Sequence, residues 1–201
     1  MRHAYALLGL AFIIVFGGAY VLIEHAYAPT VEDDLADNLQ QRSMSLSLTS
    51  PAFRDGEVIP SRYTCDGENI NPPLTISGVP DGTQSLVLVM DDPDIPNEVK
   101  EARGIEKFNH WAVYNLPVDT TEIPEATSQG SFGINDGGGA GYTGPCPPSQ
   151  YTPTEHRYVF RLYAIGDTLT FDTPPSLDAL ELRAISLQLE RAMLIGRYER
   201  K

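Results

Sequence analysis

Ser85-Leu86-Val87-Leu88-Val89-Met90 runs directly into Asp91-Asp92-Pro93-Asp94-Ile95-Pro96. The first six residues are a continuous apolar, β-branched run, which reads as a central strand rather than a half-exposed one. The prolines of the next six lack a backbone donor and restrict their predecessors, so the strand is predicted to stop at Met90. The acids are then expected on a stiff turn at the sheet rim. By itself such a turn reads equally well as a solvated acidic corner with Asp side chains capping backbone groups.

Further strands are predicted on either side. Ser45–Thr49 alternates apolar and polar residues, while His110–Leu116 and Arg157–Ile165 are rich in aromatic and β-branched residues. Pro124–Pro153 is a long Gly/Pro-rich loop, and ordered loops of that length tend to be functional. Leu177, Leu180, Ile185, Leu189 and Met193 recur at helical spacings after Ser176, predicting a C-terminal helix over Ser176–Arg197 with Ser176 as its cap. The fold class expected is mostly β, a sandwich with peripheral helices and a C-terminal helix.

The N-terminus is of another kind. Ala4–Ile23 carries no charge and as a helix would be about 30 Å long, one bilayer core. Arg2 precedes it and Glu24, Glu32, Asp33, Asp34 and Asp37 follow, so the positive-inside rule exports the rest of the chain. Residues 1–24 are therefore expected to be a transmembrane anchor or signal segment, 25–42 an acidic spacer, and 43–201 the folded domain. Ala26-Tyr27-Ala28 has the form of a signal-peptidase site but meets Pro29, so retention and cleavage after Ala28 both stay open. Either outcome places the domain outside the cytoplasm, periplasmic or extracellular.

Charge narrows function. With 14 Lys+Arg against 27 Asp+Glu, the 201-residue chain carries a formal −13, which disfavours nucleic acid and basic docking on anionic lipid. Two cysteines are too few for a four-thiolate metal site.

Three clusters could carry chemistry, each at a predicted strand end. The first is Asp91-Asp92-Pro93-Asp94. The second is Phe108-Asn109-His110-Trp111, in which a histidine beside the single Trp reads either as a packed residue or as a ligand contact. The third joins Gly141-Tyr142-Thr143-Gly144-Pro145-Cys146-Pro147-Pro148 to Glu155-His156-Arg157-Tyr158. Gly and Pro at that density form a rigid wall with exposed N–H groups that suits a small anion. His156 and Tyr158, two apart on a strand, share a face, and Arg157 takes the other.

The order of these words resembles the phosphatidylethanolamine-binding protein family, which includes the Raf kinase inhibitor proteins, and more closely its bacterial and archaeal branch. Thr64-Cys65-Asp66-Gly67, Asn71-Pro72-Pro73-Leu74, Ser77-Gly78-Val79-Pro80 and Ile195-Gly196-Arg197-Tyr198-Glu199-Arg200 add to it, over about Ser43 to Arg200. The resemblance implies a sandwich of largely antiparallel strands and a small rim pocket for a phosphate or phospholipid head group. Carried over, Asp92, His110, Cys146, Pro147, Pro148, His156 and Tyr158 line that pocket. Asp94, Pro96 and Trp111 support it, with a cis Ile95-Pro96 bond expected. Asp92 is assigned to position His110 or His156, since a carboxylate facing an anion otherwise repels it. The charged insertion Asn97–Lys107 is expected to reshape one lip.

Cys65 and Cys146 both fall in loops near these words, and in an exported domain they read as a disulfide. Two free thiols, or a nucleophilic Cys146 beside His156, are the alternatives. The leading function is a membrane-tethered binding protein for a small phosphorylated or zwitterionic ligand, without cofactor or metal. A protein target such as a protease is a further partner that the resemblance allows, and a kinase does not fit an exported domain. The alternative class is a hydrolase using Asp92, Asp94, His110 and His156 as a metal or acid–base site, or the Cys146 thiol.

Overall fold

The computed structural model describes the strands Ile13–Phe16 (β1) and Ala19–Leu22 (β2) and residues 45–200. The chain divides into two units, Met1–Gln41 and Arg42–Lys201.

In the first unit β1 and β2 pair antiparallel, with Ile13 opposite Leu22 and Phe16 opposite Ala19. This corrects the transmembrane-helix expectation for these eight residues. The physical signal is in the run itself: Ile13-Ile14-Val15-Phe16 and Ala19-Tyr20-Val21-Leu22 are short segments rich in β-branched and aromatic residues, the composition of strands. Among the described residues no helix is long and apolar enough to cross a membrane. The acidic spacer lies outside the described residues, as does the signal-peptidase-like site.

The second unit contains β3 (Ser47–Thr49), β4 (Leu74–Ser77), β5 (Ser85–Asp92), α1 (Asn97–Arg103), β6 (Phe108–Leu116), β7 (Glu122–Ile123), β8 (Ser131–Phe132), β9 (Glu155–Ile165), α2 (Leu177–Leu187) and β10 (Gln188–Glu199). A five-stranded sheet runs β10-β9-β5-β6-β8 and a three-stranded sheet β3-β4-β7, every pairing antiparallel. The apolar run at Ser85 is thus the middle strand of the larger sheet.

Its composition follows from burial on both faces. Leu86, Leu88 and Met90 join Trp111, Val113, Phe160 and Leu162 in a core closed by Leu48, Leu74, Ile76 and Ile123 of the smaller sheet. Val87 and Val89 face the other way, against Ala112, Tyr163 and Ile165, and are covered by Leu177, Leu180 and Ala184 of α2. Each such side chain taken fully from water contributes about 1.5–3 kcal/mol.

Two further expectations are corrected. The central strand does not stop at Met90 but continues through Asp91 and Asp92, which pair with Asn109 and Phe108 of β6. Pro93 ends it, so the two acids are strand residues. The C-terminal helix is half the predicted length. Ser176 caps it as expected, accepting from the Ala179 N–H at 3.3 Å, but the helix ends at Leu187. The chain then pairs along β9 as a strand, from Gln188 opposite Ile165 to Glu199 opposite Glu155. There Ala192, Leu194 and Tyr198 turn inward at a period of two, whereas Ile185, Leu189 and Met193, which one continuous helix would bury, are exposed.

Candidate functional site

The site is built where β5, β6 and β9 end together. Alternation along β5 sends Asp92 to the same face as Met90. There its Oδ2 accepts from His156 Nδ1 at 2.7 Å, and its Oδ1 accepts from the Asp94 N–H at 2.8 Å. His156 is fully buried and Asp92 nearly so. The second ring nitrogen, Nε2, donates to the Pro153 carbonyl at 3.1 Å. Carboxylate and carbonyl oxygens accept, so both partners are satisfied when both ring nitrogens carry protons, the imidazolium form. Burial opposes that charge, but the hydrogen bond and field of Asp92, the Pro153 carbonyl and Asp94 outweigh it and raise the His156 pKa.

The next residue of β9 is held by the next acid of the turn. Arg157 grips Asp94 with two side-chain bonds, at 2.8 and 2.7 Å, and with its own backbone N–H at 2.9 Å. Those bonds hold the Asp94 carboxyl below the usual carboxylate range. Asp92 and Asp94 thereby fix the turn to consecutive residues on opposite faces of β9.

His110 reaches this face through an irregularity. Met90 pairs with Trp111 but Asp91 pairs with Asn109, so His110 is an extra residue on β6. A bulge of this kind re-aims a side chain that strict alternation would send to the far face. The His110 ring packs 4.7 Å from Phe108 and 5.2 Å, edge-on, from Tyr158. Its Nδ1 donates to the Thr143 carbonyl at 2.7 Å. That bond fixes the tautomer and leaves Nε2 without a protein partner among the described residues. Burial lowers the His110 pKa, and the Thr143 carbonyl and nearby acids only partly offset it. The surroundings therefore favour the neutral form of His110 and the charged form of His156.

The loop closing this end is anchored to the turn at residues 61–69. Cys65 and Cys146 form a disulfide with Cα atoms 5.4 Å apart. The Cys65 N–H donates to the Pro145 carbonyl at 3.1 Å, the Gly144 N–H to Asn69 Oδ1 at 2.8 Å, and the Tyr142 hydroxyl to the Tyr63 carbonyl at 2.7 Å. Gly144 is required by contact, since a Cβ there would lie 2.6 Å from both Asn69 Oδ1 and the Tyr63 carbonyl oxygen. The Cys146 backbone N–H faces the Tyr158 hydroxyl, whose pKa is pushed up by burial and by Asp92. Pro147 is buried and Pro148 half-buried. Trp111 is fully buried, edge-on to Tyr142 at 5.5 Å, and its Nε1 is the buried side-chain polar atom without a partner among the described residues.

Residues 49–199 match the model of the phosphatidylethanolamine-binding protein family. The chain belongs to this family. It is 43% identical over 166 residues to a UPF0098 protein of Methanothermobacter thermautotrophicus, covering 77% of this chain and 99% of that one. It is 39% identical over 170 residues to UPF0098 protein PH1269 of Pyrococcus horikoshii, covering 80% of each. Among solved structures it is similar to CT736, a phosphatidylethanolamine-binding protein homolog of Chlamydia trachomatis, at 36% identity and TM-score 0.71, covering 79% of this chain and all of that one. It is also similar to YbcL of E. coli, described as a new member of the mammalian family, at 28% identity and TM-score 0.69, covering 78% of this chain and 99% of that one.

Within this phosphatidylethanolamine-binding protein domain the structure gathers Asp92, His110, His156 and Tyr158 at one sheet end, with the Cys146 backbone beside them. Asp92 bonds His156, while His110 is oriented by Thr143. Asp94 is turned away to Arg157, and among the described residues no three His, Cys, Asp or Glu are placed to hold a metal ion. Cys146 has no thiol to act as a nucleophile, because it is bonded to Cys65. Ile95-Pro96 is not cis; the cis bond is Thr152-Pro153, next to the carbonyl that holds His156. The insertion Asn97–Lys107 forms α1, ended by Gly104 in the left-handed region at φ 65°. Phe108, Thr143, Pro153 and Arg103, whose guanidinium stands 5.2 Å above the Phe108 ring, were not legible as site residues. For Phe108 and Thr143 the signal was their place in the words that hold His110 and Cys146; Pro153 and Arg103 had only their places at the end of the Gly/Pro-rich loop and in the charged insertion.

Proposed function

We propose that this domain is a binding protein for a small phosphorylated or zwitterionic ligand, taken up at the end of β5, β6 and β9. The observation that carries the reading is the division of labour between the two histidines. His156 uses both ring nitrogens inside the protein, whereas His110 presents Nε2 with its other nitrogen already committed to Thr143. A neutral Nε2 accepts from a protonated phosphate oxygen, and the Tyr158 hydroxyl is a donor of the kind an anion uses. Asp92, satisfied by His156 and the Asp94 N–H, is a positioning residue and not a ligand contact.

A phosphate monoester loses its second proton near pH 6, so affinity falls as pH rises from 5 to 8. Calorimetric titration with inorganic phosphate and phosphoethanolamine across that range tests the reading. His110→Ala should abolish binding while the chain stays folded; a flat pH profile with His110→Ala still binding would overturn it. No group placed here points to turnover, and the reading is a binding protein rather than an enzyme.

Location forms part of the proposal. A disulfide between two exposed cysteines is stable in an oxidising compartment, which supports an extracytoplasmic domain. The run from Ala4 to Ile23 carries no charge, and that much uncharged, apolar chain supports contact with a membrane by its hydrophobicity rather than as a single helix. Carbonate extraction of cell membranes tests this: release of the chain into the supernatant would exclude an integral anchor. A protein target such as a protease is a further proposed partner, tested by inhibition assays with the His110 variant as comparison.

A further inference from the structure

Arg103 stands at the edge of the proposed site in an arrangement that the phosphate reading leaves unused. It is the last residue of α1, and its guanidinium carbon lies 5.2 Å from the centroid of Phe108, whose ring packs against His110. Its Nη2 donates to the Asp136 carbonyl at 2.6 Å. Asp136 is itself fixed to β6, its carboxylate accepting from the Asn109 N–H at 2.7 Å and its own N–H donating to the Asn109 carbonyl at 3.0 Å. The guanidinium is thus held from two directions, by a ring below and a carbonyl beside it.

What it lacks is a carboxylate. Arg54 faces Glu57, Arg62 faces Glu68 and Glu125, Arg157 faces Asp94, Arg161 faces Asp91 and Glu181, Arg197 faces Glu155, and Arg200 faces Asp66. Among the described residues Arg103 has no acid within ion-pair distance, although the chain carries 27 of them. It shares that lack with Arg183 and Arg191 and differs from them in standing over Phe108. A guanidinium fork that is positioned and not neutralised is suited to a planar carboxylate, which it binds bidentately.

We infer that Arg103 is a specificity-determining residue that takes a carboxylate carried by the same small molecule whose phosphate meets His110. The ligand class is then a phosphorylated amino or hydroxy acid, free or as the head group of an anionic phospholipid. This rests on the phosphate reading above, and the test separates the two. O-phospho-L-serine and phosphoethanolamine differ by one carboxylate. Calorimetry on the full chain should find phosphoserine bound about tenfold more tightly, the scale of a charge-assisted pair at a partly wet site. Arg103→Ala should erase that preference and leave affinity for phosphoethanolamine and inorganic phosphate within about twofold. Arg103→Lys, which keeps the charge but loses the fork, should restore only part of it.

If the wild-type chain binds none of the three, the phosphate reading fails and the inference with it. If it binds phosphoethanolamine and phosphoserine equally, or Arg103→Ala keeps the preference, the inference alone fails. Flotation with phosphatidylserine-containing vesicles, compared with phosphatidylcholine alone, identifies the source. Extra flotation that Arg103→Ala loses assigns the head group; none, with the phosphoserine preference intact, assigns the free acid.

Discussion

Asp91 and Asp92 are neighbours on β5, both buried, and their carboxylates leave the sheet through opposite faces. Asp92 bonds His156 on the face of the larger sheet that it shares with Met90. Asp91 meets Arg161 and, at 2.9 Å, Lys107, whose ammonium also reaches Glu181 of α2 at 2.6 Å. Glu181 in turn accepts from the Tyr163 hydroxyl at 2.8 Å. One dipeptide therefore serves two jobs: the even residue orders the candidate site, and the odd one ties α2 and the strand entering that site to the sheet.

Asp92→Ala removes the partner of a buried imidazolium, and breaking such a pair costs about 3–5 kcal/mol. Urea unfolding at pH 6 should show that loss. Proton NMR of any folded fraction should find the His156 pKa below its wild-type value. Unchanged stability would mean that the pair contributes nothing net.

The two histidines give the fold opposed pH limbs. His156 has a raised pKa, so its contribution is complete below the ordinary histidine value of about 6.5 and is lost as pH rises through the folded value. His110 has a lowered pKa, so its contribution is complete above about 6.5 and is lost as pH falls through its folded value. Stability from these two groups should peak near pH 6.5, read as the urea midpoint from pH 5 to 9. His110→Asn should flatten the acid limb and His156→Gln the alkaline one.

Reduction of Cys65–Cys146 opens a loop spanning a sequence separation of 81, for which chain entropy gives about 4–4.5 kcal/mol. Dithiothreitol should lower the urea midpoint accordingly, and the Cys65→Ser, Cys146→Ser double variant should match the reduced protein and no longer respond to reductant. Mass measurement without reductant should find no free thiol.

Gly196 lies within β10, where a Cβ would come 2.4 Å from Ile59 Cγ1 and 3.0 Å from a Phe53 ring carbon. Gly196→Ala should destabilise by about 1–3 kcal/mol through overpacking. Pairing it with Ile59→Val should recover part of that loss. Additive losses would show that contact with Ile59 is not the cause.

Much of this was legible because the relevant forces are local. The run at Ser85 is apolar on both faces because both faces are covered, and Ser176 caps a helix by its own side chain. The eventual length of α2 was not legible. Leu189 and Met193 continue the helical spacing, while Ala192, Leu194, Gly196 and Tyr198 supply a period of two, and only the free edge of β9 decides between them. The site was half legible: Asp92, His110, His156 and Tyr158 were named from the order of their words. That His110 turns inward depends on an extra residue in β6, and that His156 favours its charged form depends on Pro153, a partner supplied by a distant loop conformation. The pairing of Ile13–Phe16 with Ala19–Leu22 was not legible because absence of charge suits a membrane helix and a strand equally, and only the β-branched and aromatic content favours the strand.

β10 lies along β9 on one side, and its other edge is clasped by residues 55–59, with Gly56 N–H donating to the Ile195 carbonyl, Ile59 N–H to the Arg197 carbonyl, and Arg197 N–H to the Glu57 carbonyl. Every partner of β10 precedes it in the chain. The domain therefore remains open along one edge of its larger sheet throughout synthesis, until Glu199 has emerged. A nascent chain in that state presents β9 with one edge unpaired, the edge that β10 later covers.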